Sequence, residues 1–228
     1  MLSVVVPTYN EAGSVTALAE RLHAALTGRD WELVIVDDGS PDGTADIAAG
    51  VAPRIPVRVV RRSGKAGLAS AVVAGFAAAR GDVLVVMDAD LSHPPETVPA
   101  LVAAIGGGAD LAVGSRYVKG GGVEDWPLKR RMVSRVACLM GQLLVPVRDA
   151  TSGFFALRRS VIEGVTLNPI GFKIGFEVIA RGRYRKVVEV PYTFRDRELG
   201  ASKFGRREIA QYVVQLGQVA RDKLLRRI

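Results

Sequence analysis

Asp88-Ala89-Asp90 follows the apolar run Val83–Met87. Residues i and i+2 of an extended chain project from one side, so the two carboxylates face the same way. So placed, they repel unless a cation lies near them. A hard divalent cation such as Mg²⁺ takes one or two carboxylates and fills its shell with substrate phosphates. A second acidic cluster, Asp37-Asp38-Gly39-Ser40-Pro41-Asp42-Gly43, ends another apolar run. Its Ser-Pro-Asp-Gly is a turn signal: Asp42 or Ser40 caps the helix opening at Thr44, and Asp38 is placed to hydrogen-bond a ribose or base. Two more polar clusters are Pro7-Thr8-Tyr9-Asn10-Glu11 and Arg61-Arg62-Ser63-Gly64-Lys65-Ala66-Gly67. Neither is a dinucleotide or P-loop fingerprint. G-x-G-x-x-G is absent from the first, and in the second Ala66 stands where Ser or Thr is required and Val59 where Gly is. Gly64 and Gly67 can still bring backbone N–H groups to the start of the next helix.

These clusters need a common support. Apolar runs at Leu2–Val6, Glu32–Val36, Val57–Val60, Asp82–Met87 and Leu111–Val113 alternate with helical patterns at Ser14–Leu26, Thr44–Ala49, Gly67–Ala79 and Pro95–Ile105. Continuous apolar runs bounded by turn residues are strands buried on both faces, and alternating β and α units give a parallel sheet with right-handed crossovers. Ligands of such sheets bind beyond the carboxyl ends of the strands, where each of the first four runs ends in a polar cluster. The second half is less regular: Leu128–Val145 and Gly175–Ala180 are helical, Gly153–Leu157 and Val187–Pro191 extended, and Arg206–Ile228 a long helix. The Gly106–Gly108 and Gly120–Gly122 runs read as flexible loops.

The chain of 228 residues is 49% hydrophobic and 24% charged, which excludes a disordered chain and suits one α/β domain. Its longest apolar stretch, Leu68–Ala79, is too short to span a bilayer, and no leader-like segment precedes the first strand. Cys138 is the only cysteine, so no intramolecular disulfide forms and a reducing, cytoplasmic setting is expected. The net charge of +8 sits in two segments: residues 116–135 carry six basic groups against two acidic, and residues 195–228 carry nine against four. Such segments attract anions: phosphates, nucleic acid or an acidic membrane surface. A nucleic-acid module needs a recognition helix or a stacking platform; aromatics are 6% of the chain and do not interleave with the basic segments, so no nucleic-acid partner is expected.

Nine blocks, in order from residue 4 to 204, resemble family 2 glycosyltransferases, and more narrowly the polyprenol-phosphate (dolichol-phosphate) mannose synthases. They are VVVPTYNE, VIVDDGSPDGT, GKAGLASAVVAGF, VMDADLSHPPE, VGSRY, Trp126 to Arg130 with Ser134-Arg135, DATSGFFALRR, GFKIGFEV and VVEVPYTFRDRELGASKF. The resemblance implies a GT-A fold, mostly parallel and Rossmann-like with flanking helices, and inverting transfer from GDP-mannose to a polyprenyl phosphate. By the motifs, Pro7, Tyr9, Glu11, Val36 and Asp38 would hold the nucleoside. Asp88 and Asp90 would hold Mg²⁺ or Mn²⁺ against the diphosphate, with Ala89 passing its backbone near the sugar. Ser92, which stands where the family often has Gln, would also contact the nucleotide sugar, its side chain being too short for a direct third metal ligand. Arg116, Arg130 and Ser134 would meet the acceptor phosphate; Lys173, Arg197 and Lys203 would meet the donor phosphates. Asp90, Arg116, Arg130 and Arg197 are the residues expected to carry catalysis. The rival within enzymes is another donor, such as UDP-glucose, on the same acceptor.

Residues 1–205 are read as the catalytic unit. Residues 206–228 form a helix of the same domain or a docking appendage. Ile209, Val213, Leu216, Ala220 and Leu224 make an apolar stripe on it, with Arg206, Arg207, Arg221, Lys223, Arg226 and Arg227 around it. Such a helix can lie in an anionic membrane surface. The expected location is the cytoplasmic face of a membrane, held by the lipid surface itself or by a separate membrane-anchoring subunit.

Overall fold

β1 (Leu2–Thr8) and β2 (Trp31–Asp37) are the apolar runs buried on both faces, pairing in parallel from Leu2↔Trp31 to Thr8↔Asp37. The computed structural model describes residues 1–168, 170–195 and 206–225. Around these strands lie α1 (Val15–Ala25), α2 (Thr44–Gly50), β3 (Val57–Arg61), α3 (Leu68–Ala78), β4 (Val83–Val86), α4 (Val98–Gly106) and β5 (Leu111–Ser115). The chain continues through β6 (Gly122–Val123), α5 (Leu128–Gln142), β7 (Phe155–Arg158), α6 (Ile174–Arg181), β8 (Val187–Pro191), β9 (Thr193–Phe194) and α7 (Arg206–Leu224).

Seven strands form one sheet in the order β3-β2-β1-β4-β7-β5-β8. All pairs are parallel except those of β7, which runs against both β4 and β5. Strand alternation divides the core in two. Val4, Val6, Leu33, Ile35 and Val85 meet Leu18 and Leu22 of α1 and Leu101 of α4 on one side. Val5, Val34, Val36, Leu84 and Val86 meet Val72 and Phe76 of α3, Phe176 of α6 and Leu216 and Val219 of α7 on the other. Gly75 lets α3 approach: a Cβ there would lie 2.3 Å from Val5 Cγ1.

The expected helices and strands are present with shifted ends. Gly122 departs from its expected loop: it opens β6, which pairs with β9 at Gly122↔Thr193. The stripe expected on the C-terminal helix divides. Leu216 is buried with Tyr212 and Val219, whereas Ile209, Val213 and Leu224 are exposed.

Candidate active site

The ends of β1 and β2 are stitched by side chains of the turns that follow them. Asp37 accepts hydrogen bonds from Thr8 Oγ1 (3.0 Å), Ser40 N (2.9 Å) and Ser40 Oγ (2.5 Å). Asp42 accepts from Thr44 N at 3.0 Å, so it serves the start of α2, while Ser40 binds back to Asp37 and Asn10. Asp38 ties down the third cluster. Its Oδ2 accepts from Ala66 N (3.0 Å) and Gly67 N (2.9 Å), and its Oδ1 from Arg62 Nη1 (2.7 Å). Gly67 adopts φ +99° in this turn, which a side chain would strain. Lys65 Nζ then sits 4.2 Å from the Tyr9 ring centre, a cation over an aromatic face.

β4 delivers the carboxylate pair to the same rim. Asp88 and Asp90 are half-buried, and Ala89 between them is buried. Ser92 donates to Asp90 Oδ1 from both N (3.1 Å) and Oγ (2.6 Å). Asp88 N donates to His93 Nδ1 at 3.0 Å. Burial pushes the His93 imidazole down to about 4, against the pull of Asp90.

A basic cluster lies beyond β5. Arg116 is buried, and its Nε and Nη2 reach the two oxygens of fully buried Asp149 at 2.7 Å each. Its backbone N also donates to Asp149 Oδ2 (3.0 Å), and Nη2 donates to Thr151 Oγ1 (2.9 Å). Burial alone would raise the Asp149 carboxyl, but the Arg116 charge and hydrogen bonds outweigh it and hold it below the usual range. Arg130 lies 4.1 Å from the Trp126 ring centre, and Tyr117 Oη donates to Ser134 Oγ at 2.7 Å. Lys173 Nζ donates to Thr151 O at 3.0 Å. Burial, with Arg116 beside it, pushes this ammonium down to about 8 despite Asp149. Trp126 Nε1 is buried without a hydrogen-bond partner among the described residues.

One cavity of about 920 Å³ joins these parts. Pro7, Tyr9, Glu11 and Asp38 line it at one end, Asp88, Ala89 and Asp90 in the middle, and Arg116, Arg130, Ser134 and Lys173 at the other. Two expected contacts fall elsewhere. Val36 is fully buried in the core under α3, because its position on β2 points away from the rim, so its side chain does not line the cavity. Ser92 is also buried outside the lining and orients Asp90. Arg197 and Lys203 lie outside the described residues. Lys65, His93, Thr151 and Trp126 line the cavity without having been singled out by sequence for a ligand. The lining also includes apolar residues, Val136 and Met140 of α5 and Ile209 and Val213 of α7.

Asp88 and Asp90 are the acidic groups suited to a cation; among the described residues no group of three or more His, Cys, Asp or Glu is arranged to hold one. Two carboxylates lining the cavity still fit a hard cation that completes its shell from a ligand.

The mostly parallel seven-stranded α/β sheet with flanking helices is GT-A-like. The crystal structure of glucosyl-3-phosphoglycerate synthase from Mycobacterium tuberculosis with Mn²⁺, UDP and glucosyl-3-phosphoglycerate superposes with a TM-score of 0.68 at 22% identity, covering 96% of this chain and 78% of that one. Residues 3–166 match the glycosyl transferase family 2 model, and the chain belongs to that family. Among curated relatives, the dolichol-phosphate mannosyltransferase of Pyrococcus furiosus is 51% identical over 93% of this chain and 61% of its own length. The polyprenol monophosphomannose synthase of Mycolicibacterium smegmatis is 41% identical over 94% of this chain and 85% of its own. The chain thus spans under two thirds of the archaeal relative and most of the mycobacterial one.

Proposed function

We infer that this chain transfers mannose from GDP-mannose to a polyprenyl monophosphate and releases GDP. The observation that carries the reading is the cavity whose lining brings together Tyr9 and Asp38, the Asp88 and Asp90 carboxylates, the cations Arg116, Arg130 and Lys173, and apolar residues of α5 and α7. The mannosyltransferase names of its relatives support the same reading.

The nucleoside lies against Pro7, Tyr9 and Glu11 and the loop that Asp38 fixes. Asp88 and Asp90 would hold Mg²⁺ or Mn²⁺; such a cation neutralises charge on the departing diphosphate. Lys173, with Arg197 and Lys203 as further donor-phosphate residues, adds positive potential where that charge grows. The acceptor is a phosphate monoester with a second pKa of about 6, so at pH 7 it is already largely dianionic and attacks without a strong base. Arg116, Arg130 and Ser134 orient it. Asp149 balances the Arg116 charge, which makes that arginine a directional donor. A single in-line displacement converts the α-linked donor into a β-linked product.

The acceptor's lipid places the cavity mouth at a membrane. No helix among the described residues is long and apolar enough to cross one. The surface available for docking is on α5, where Leu128, Met132, Val136, Leu139 and Leu143 are exposed at helical spacing beside exposed Lys129, Arg131 and Arg135. α7 belongs to the same domain in this reading, because it closes the second core.

The test is incubation with labelled GDP-mannose or UDP-glucose and a short polyprenyl phosphate, with and without divalent ion, followed by NMR of the product anomer. Mannolipid of β configuration, formed only with the ion and abolished by Asp90→Ala, is expected. Preference for UDP-glucose, retained α configuration, or turnover by Asp90→Ala in chelator would overturn the donor, displacement or metal assignment respectively.

A further inference from the structure

His93 lines the cavity, but the mechanism above gives it nothing to do. Its ring is held on three sides by aromatics. It stacks on Phe154 at 4.9 Å between centroids and 13° between planes, and meets Tyr192 (5.7 Å) and Phe194 (5.9 Å) edge-on. Rings so placed fix the imidazole plane. In that plane Nδ1 accepts the Asp88 N–H at 3.0 Å. An accepting Nδ1 carries no proton, which assigns the ring proton to Nε2.

The bonded amide occupies a particular place. Met87 N still donates to Val5 O (3.3 Å), in continuation of the β1–β4 ladder. Asp88 N is the next amide, and His93 supplies its acceptor in place of a strand. The bond closes a loop from Asp88 to His93, within which Leu91 takes φ +63°. A leucine in the left-handed region costs about 1–2 kcal/mol, so this turn is imposed by its surroundings. Leu91 packs against the first core, and Ser92 donates twice to Asp90. Asp88 is thus fixed through its backbone and Asp90 through its side chain.

We propose that His93 is a positioning residue, a clamp that presents the Asp88 and Asp90 carboxylates to one divalent cation. The proposal rests on the cation reading above. A purely packing role for the ring makes a different prediction, and two substitutions separate them. His93→Asn keeps an acceptor near the Nδ1 position and removes the ring. His93→Phe keeps the ring and its stack and removes the acceptor.

The experiment measures Mn²⁺ affinity by EPR of the free ion, with GDP present, together with Tm, on the full chain. Loss of a partner that orients metal ligands typically weakens the ion by about 10–100-fold. His93→Phe is therefore expected to lose at least about tenfold in Mn²⁺ affinity. His93→Asn should melt earlier yet bind Mn²⁺ close to the wild type. Wild-type Mn²⁺ affinity in His93→Phe, or losses in both variants that follow Tm alone, would overturn the clamp. Wild-type protein that binds no Mn²⁺ with GDP would sink the cation reading itself, and the clamp with it, before any variant is compared.

Discussion

Lys173 is a cation whose charge is set by its surroundings. It faces Arg116, Asp149, Cys138 and Asp88, and burial leaves its pKa at about 8. Its charge is present below that value and lost above it. The kcat/KM of transfer, which reports the free enzyme, should therefore fall as pH rises through about 8. Lys173→Arg should move that alkaline limb out of range; an unmoved limb would assign it to another group. The Arg116–Asp149 pair makes a separate prediction. Breaking one partner of a buried pair costs about 3–5 kcal/mol, so Asp149→Asn should lose about that much in urea unfolding. The placement of Asp88 and Asp90 at the cavity was legible in the sequence, because a pair at i, i+2 after an apolar run falls at the strand's carboxyl end. Asp149 was not, since its partner stands 33 residues away and only tertiary structure brings them together. Val36 was misjudged because a motif does not say which face of a strand its residues take.

α3 shows how packing can override propensity. Gly75→Ala in a helix gains about 1 kcal/mol of propensity. The new Cβ would lie 2.3 Å from Val5 Cγ1, and overpacking costs typically about 1–3 kcal/mol. A contact that short falls at the upper end, so chemical denaturation should show a net loss of about 1–2 kcal/mol. α5 carries the opposite kind of position. Met132 and Leu139 are 60% and 59% exposed, so Met132→Glu with Leu139→Glu should leave Tm nearly unchanged. The same pair should abolish co-sedimentation with anionic vesicles; undiminished binding would remove α5 from the docking surface. The α5 stripe was present in the sequence at spacings of three and four, but the longer C-terminal helix drew the assignment. The parallel strands were legible from their apolar runs. The direction of β7 was not, because a buried strand reads alike whichever way it pairs.

One of the two basic segments of the chain contributes to the cavity. Residues 116–135 carry the arginines of the acceptor cluster and the exposed basic flank of α5. Docking should therefore depend on ionic strength: vesicle binding should weaken between low salt and about 0.15 M, where the screening length falls to about 8 Å. Indifference to salt would mean that apolar insertion alone holds the protein. The reversed direction of β7 has a geometric consequence for the molecule. A forward strand lends the reactive edge the bend that succeeds it, whereas a backward one lends the bend that leads in. Asp149 and Thr151 arrive by that route, inserted between the neighbours β4 and β5. Edits to the stretch ahead of Phe155 thus bear on the cavity, whereas edits after Arg158 meet the opposite edge of the sheet, where Arg159 donates to Gly81 O and Ala79 O and Val161 is buried.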